Sequence, residues 1–184
     1  MDWTKFNNHG ESNNHAFEVM CNLIFESWCR ETYQDKLEQF AFVNGNGGDG
    51  GVEAYGILSN GNIVGVQSKW FPNKLEDVQI RQIENSFKMA LKVRPNISRY
   101  IVCIPRDLNS KRIVKKGKKA KNTESDKWEE MVRKFKSFYP NVEIILWDES
   151  TIQEKITRPT SQGIYKYWFC LLYTSPSPRD ISGS

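Results

Sequence analysis

Val52-Glu53-Ala54-Tyr55-Gly56-Ile57-Leu58 and Ile63-Val64-Gly65-Val66-Gln67-Ser68, joined through Ser59-Asn60-Gly61-Asn62, read as the two strands of one β-hairpin. Asn60-Gly61 readily takes the positive φ angles of a two-residue type I′ turn. Such a turn would set Val52 opposite Lys69 and Ala54 opposite Gln67. Asp49 would then fall beyond the pair on the other face, and Glu53 would share the face of Ser68, away from Lys69. A bulge at Gly50-Gly51 would shift the register by one residue and bend Asp49 inward, and a three-residue turn would do likewise.

Side chains alternate along a strand, so Gln67 and Lys69 project together while Ser68 points away. Hydrolysing a phosphodiester needs a cation to neutralise the transition state and a group to position water. In Asp49-Gly50-Gly51 the aspartate is the leading candidate ligand, because its glycine neighbours let bare backbone approach a metal or DNA. Gln67 can offer its amide oxygen and Ser68 its backbone carbonyl. Lys69 can orient water or offset charge. Glu53 ranks below Asp49 as a ligand, and Glu18 can approach only by helix packing. The stretch Gly45-Asn46-Gly47-Gly48-Asp49-Gly50 also fits G-x-G-x-x-G, but a strand pattern follows it rather than a helix, which argues against a nucleotide site.

Outward from the hairpin, Phe17, Cys21, Ile24 and Trp28 recur at helical spacing behind the polar caps Ser12-Asn13-Asn14, giving a helix to about Thr32. Phe40 to Val43 is a short strand. Lys74 to Lys92 carries Ile80, Ile83, Phe87 and Leu91 on one helical face and stops before Pro95. Tyr100 to Ile104 and Val142 to Trp147 are apolar runs of the kind buried on both sheet faces. Between them, Thr123 with Asp126 caps a helix whose buried stripe is Trp128, Met131, Phe135 and Phe138. Thr151 with Glu154 predicts a further short helix before Pro159; the aromatic run Tyr165 to Phe169 has no assigned fate. The order is helix, strand, hairpin, helix, strand, helix, strand.

A chain of 184 residues with 39 % hydrophobic residues supports one domain with a filled core. No apolar run is long enough to span a membrane and the polar N-terminus lacks a signal pattern, so the expectation is a cytoplasmic protein. Cys21, Cys29, Cys103 and Cys170 have no metal-type spacing, and two histidines are too few for a histidine-built zinc site. A metal here would take hard oxygen ligands. Within a net charge of +4, Lys111, Arg112, Lys115, Lys116, Lys118, Lys119 and Lys121 crowd one segment without apolar periodicity, suited either to phosphates or to plain solvation. Residues 170–184 read as a translated sequencing adapter, which leaves 1–169 as the domain and implies a continuation past Phe169.

Gly48-Asp49-Gly50-Gly51-Val52-Glu53-Ala54 and Val66-Gln67-Ser68-Lys69-Trp70-Phe71 resemble the PD-(D/E)xK nuclease superfamily, in the subgroup whose second acid is glutamine. The likeness is nearest to the N-terminal double-stranded DNA endonuclease domain of bacterial antiphage effectors, both cyclic-oligonucleotide-gated nucleases and nuclease-bearing antiviral STAND NTPases. Mrr-like restriction enzymes share the Gln-x-Lys pattern more distantly. It covers nearly all of residues 10–169, including Glu18, Ile104-Pro105-Arg106-Asp107-Leu108 and Trp147-Asp148.

The resemblance implies an α/β restriction-endonuclease-like fold, a central mixed β-sheet flanked by helices. It implies Mg²⁺, with Mn²⁺ as a substitute, and double-stranded DNA as partner. Asp49 would be a metal ligand, Gln67 the glutamine of the motif, Lys69 the catalytic lysine and Glu18 an accessory acid. It further implies a sensor or ATPase region beyond the domain, and homo-oligomerisation on activation. No proline precedes Asp49 and Gln67 is neutral, so one carboxylate fewer attracts the metal. The alternatives are a catalytically inactive DNA-binding module of the same fold, an Mrr-like methyl-directed restriction endonuclease, and a structural α/β domain with an incidental basic loop.

Overall fold

The computed structural model describes residues 1–43, 50–110 and 122–170. Ser12 caps the first helix, its hydroxyl accepting from the His15 N–H at 3.2 Å, and α1 (Asn13–Tyr33) follows. The strands β1 (Leu37–Phe42), β2 (Ala54–Leu58) and β3 (Ile63–Ser68) run consecutively. After them α2 (Asp77–Val93), β4 (Ile97–Cys103), α3 (Glu124–Phe138) and β5 (Glu143–Trp147) alternate, and α4 (Glu149–Ile156) and α5 (Gln162–Phe169) close the described chain.

The five strands form one mixed sheet in the order β1-β2-β3-β4-β5. β1, β2 and β3 pair antiparallel, while β3, β4 and β5 pair parallel. Parallel neighbours need long crossovers, and α2 and α3 supply them. One face of the sheet buries Phe17, Met20, Ile24 and Phe25 of α1 against Ala54, Val64, Val66 and Ile101, with Ile152 and Ile156 of α4. The other buries Ile83 and Phe87 of α2 and Trp128, Met131 and Phe135 of α3 against Tyr100, Val102 and Ile104. Both faces of β3 and β4 are covered, which is why their sequences run apolar without alternation.

Several local expectations shift. The Lys74 helix begins at Asp77, because Leu75 is buried in the core instead. Thr123 and Asp126 cap α3 reciprocally, as their spacing predicts. Phe138 does not join the buried stripe: it is the last residue of α3 and 71 % exposed, and Tyr139 packs on Phe87 and Phe135 in its place. Asp148, not Thr151, caps α4, accepting from the Thr151 N–H at 3.0 Å. The aromatic run forms α5.

Cys21, Cys29 and Cys103 are buried free thiols, and burial pushes those of Cys21 and Cys29 well above the usual range, the inert condition. Among the described residues no helix is long and apolar enough to cross a membrane. Asp49, the basic segment 111–121 and residues 171–184 lie outside the described residues.

Candidate active site at the open end of the hairpin

The turn decides what the hairpin brings together. Gly61 N–H donates to the Leu58 carbonyl and Leu58 N–H to the Asn62 carbonyl, both at 2.8 Å, and Gly61 takes φ +78° while Asn60 does not go positive. This is a three-residue turn ending in a left-handed glycine, not the two-residue type I′ turn, which needs positive φ at both central residues. The Asn60 carboxamide favours it by accepting the Asn62 N–H at 3.0 Å.

The register is therefore Ala54↔Val66 and Ile57↔Ile63, one residue away from the two-residue expectation. Glu53 N–H also donates to the Val66 carbonyl, at 2.8 Å, so two residues of one strand face one of the other. That β-bulge turns the Glu53 side chain toward the end of β3. The expected separation of Glu53 from Lys69 is thus overturned.

Glu53 is 4 % exposed. Its Oε2 accepts the Ser68 N–H at 2.8 Å, and its Oε1 accepts from Gln67 Nε2. Burial pushes its carboxyl up to about 8, the Glu18 carboxylate adds to the rise, and hydrogen bonds from Ser68 and the charge of Lys69 oppose it. Packing of α1 on β3 is what carries Glu18 there. Hydrogen bonds therefore join Glu53 to Gln67 and the Ser68 backbone, with the Ser68 carbonyl at a long 3.5 Å from Gln67 Nε2, and Glu18 and Lys69 lie close enough for their charges to act on the Glu53 carboxyl. Gln67 is fully buried, yet its Oε1 has no hydrogen-bond partner among the described residues. Lys69 is half-buried and forms no ion pair among them.

The chain leading into Glu53 is fixed from behind. Gly51, at φ +80°, presses its backbone against α2, where an added Cβ would lie 2.1 Å from the Ser86 carbonyl oxygen. The buried Tyr100 hydroxyl donates to the Gly51 carbonyl at 2.8 Å. Arg94 donates to the Gly50 carbonyl at 3.4 Å with its guanidinium 4.6 Å from the Tyr55 ring.

A second buried acid, Glu124, fixes the loops beyond the site. It accepts from the Leu75 N–H at 2.5 Å, Arg106 Nη2 at 2.9 Å and the Asn109 N–H at 3.2 Å. It therefore ties the loop after β3 and the loop after β4 to the start of α3. Asp107 and Asp148, both in the segments that carry the resemblance, have local duties: Asp107 accepts from the Ser150 N–H and hydroxyl, and Asp148 is the α4 cap.

The donor set is all oxygen: two carboxylates and an unpartnered amide oxygen are the ligand types of a hard divalent cation, although no group of three or more His, Cys, Asp or Glu able to hold a metal occurs among the described residues. Pattern reading misplaced Glu53, since choosing the three-residue turn would have put it beside Gln67. Tyr100, Arg94 and Glu124 carry no motif and emerge only from the tertiary structure. Comparison of the chain with protein-family models and with curated proteins finds no match.

Proposed function

We propose that the chain is a metal-dependent endonuclease of double-stranded DNA, with the restriction-endonuclease-like fold that its hairpin motifs imply, serving as the effector domain of a bacterial antiphage defence protein. The observation that carries the reading is the convergence of Glu53, Glu18, Gln67 and Lys69 at the open end of the hairpin, with a buried amide oxygen left unpartnered. Buried polar groups are normally satisfied, and a carboxylate set against a second carboxylate in low dielectric is a poor structural choice. Both features make sense at a site that receives a cation. The mixed sheet with α1 on one face and α2 and α3 on the other is compatible with the proposed fold.

In this reading Glu53, Glu18 and the Gln67 amide oxygen hold Mg²⁺, for which Mn²⁺ can substitute, with Asp49 and the Ser68 carbonyl as further ligands. When bound, the ion supplies positive charge to the scissile phosphate. Gln67 orients Glu53 through the bond between them. The Ser68 N–H holds the second oxygen of the same carboxylate, so the group is fixed before substrate arrives. Lys69 sits one residue past β3 and directs its ammonium to charge that develops on the phosphate oxygens, or to the attacking water. Lys111, Arg112, Lys115, Lys116, Lys118, Lys119 and Lys121 bind backbone phosphates, which predicts weak sequence preference and binding that falls steeply with salt.

The test is plasmid cleavage at low salt with Mg²⁺, with EDTA, and with Lys69→Ala and Glu53→Gln. The expected result is metal-dependent nicking that drops about 10²- to 10³-fold or more in either variant. DNA binding without cleavage would instead favour an inactive binding module. Neither binding nor cleavage, with no metal-induced change in melting temperature, would leave a structural α/β domain.

A further inference from the structure

Lys69 leaves the sheet where the ladder ends. β3 pairs with β4 up to Ser68↔Cys103, and the Lys69 N–H makes one more bond, to the Cys103 carbonyl at 2.9 Å. The next bond is local: Phe71 N–H donates to the Lys69 carbonyl at 2.8 Å, closing a three-residue γ-turn centred on Trp70. The turn splits its two aromatic residues between the layers, Trp70 joining the α1 core and Phe71 the α2–α3 core. With the ladder finished, the seat of the Trp70 ring is what fixes the direction in which Lys69 departs.

Both ends of the described chain build that seat. Trp70 meets Phe17 of α1 at 5.4 Å and Trp3 at 5.6 Å between ring centroids, and it stacks on Phe6 at 5.7 Å. Phe6 in turn stacks on Trp168 at 5.6 Å and touches Phe169 at 5.5 Å. The first ten residues are fastened to α5 separately. Asn7 N–H donates to the Trp168 carbonyl at 2.8 Å, and His9 stacks on Tyr167 at 4.0 Å with its Nε2 2.9 Å from the Tyr167 carbonyl.

Filling a core needs apolar volume, which leucine or isoleucine would provide. Here the indole nitrogens of Trp3 and Trp168 are buried with no partner among the described residues, a cost that aliphatic side chains would avoid. What indole and phenyl rings add is orientation, since stacked and edge-on pairs fix angle as well as distance.

We propose that Phe6 and Trp70 are positioning residues for Lys69, their stack carrying the seat of the first ten residues and α5 to the lysine ammonium. The inference rests on the nuclease reading for its catalytic consequence and on packing alone for its structural one. The two parts are tested separately on the full 184-residue chain.

Acylation of lysines with N-hydroxysuccinimidyl acetate, read residue by residue by mass spectrometry, compares wild type with Trp70→Phe, Trp70→Leu and Phe6→Leu. Lys69 is expected to react several-fold faster in both leucine variants, with Lys36 at the far end of the sheet unchanged and Trp70→Phe close to wild type. Cleavage of double-stranded DNA with Mg²⁺ is expected to lose kcat by up to about 100-fold in the leucine variants, the scale of a 1 Å misplacement, with unchanged DNA Kd. Unchanged Lys69 labelling in both leucine variants would overturn the proposal, and so would a uniform rise at every lysine. Absence of cleavage in wild type, or its persistence in Lys69→Ala, would overturn the nuclease reading alone, and the labelling would still decide the seat.

Discussion

Glu53 and Glu124 are both buried, at 4 % and 1 % exposure, yet they live in opposite surroundings. Glu124 is met by three donors, one of them the Arg106 guanidinium. Glu53 receives one backbone N–H and one neutral amide, and the charge of Lys69 offsets only part of what burial and another carboxylate, Glu18, impose on it. One acid is placed where the fold needs a knot between loops. The other is placed where the fold gains little from its charge. A buried carboxylate that its own fold leaves undercompensated points to a cation or substrate supplied from outside.

The largest expected effect breaks the structural member of the pair. Glu124→Ala leaves the part-buried Arg106 without its counter-charge and the Leu75 N–H without its acceptor, so a loss of about 3–5 kcal/mol is expected in urea unfolding. Glu53→Gln should do the reverse. Removing the charge relieves desolvation and the repulsion from Glu18, and the variant should be at least as stable as wild type at pH 8 while losing cleavage. A Glu53→Gln protein that unfolds as easily as Glu124→Ala would erase the distinction.

A smaller effect sharpens it through pH. The Glu53 carboxyl is raised from 4.5 to about 8 in the folded chain, so between those values the folded state holds a proton that the unfolded state has released. The stability tied to that proton is complete below the unfolded value and is lost as pH rises through the folded one. Metal-free wild type should therefore melt highest near pH 5 and progressively lower toward pH 8 to 9. Glu53→Gln should lack this slope. An identical pH profile in the two proteins would show that Glu53 ionises freely in the fold.

Much of this architecture was legible in the chain. Apolar period alone places α1, α2 and α3 and the apolar runs of β4 and β5, because each buries one stripe or two faces against the sheet. The site was legible only in part. Gln67 and Lys69 follow from strand alternation, but the position of Glu53 depends on a single residue of register, and that register turns on whether Asn60 and Gly61 both take positive φ or Gly61 alone does. Local sequence is nearly neutral between those turns, whereas the tertiary structure is not: the three-residue turn brings Glu53 against Gln67 and Ser68. Glu18, Glu124 and Trp70 meet their partners across at least 35, 15 and 53 residues of chain respectively, distances over which periodicity carries no information. Phe138 fails for the complementary reason, since its spacing extends the α3 stripe one residue beyond what the core covers.

The finest expected effect uses the metal itself to separate the two glutamates. A cation that binds only the folded chain at ten times its Kd adds about 1.4 kcal/mol of stability. If Glu53 lies undercompensated because a cation completes it, Mg²⁺ at pH 8 should raise the melting temperature of wild type, and the gain should vanish in Glu53→Gln. Glu124→Gln keeps the hairpin and its acids intact, so its lower melting temperature should still respond to Mg²⁺ by the wild-type increment. A response lost in Glu124→Gln and kept in Glu53→Gln would reverse the two roles, and would place the cation among the loops that Glu124 ties together rather than at the end of the hairpin.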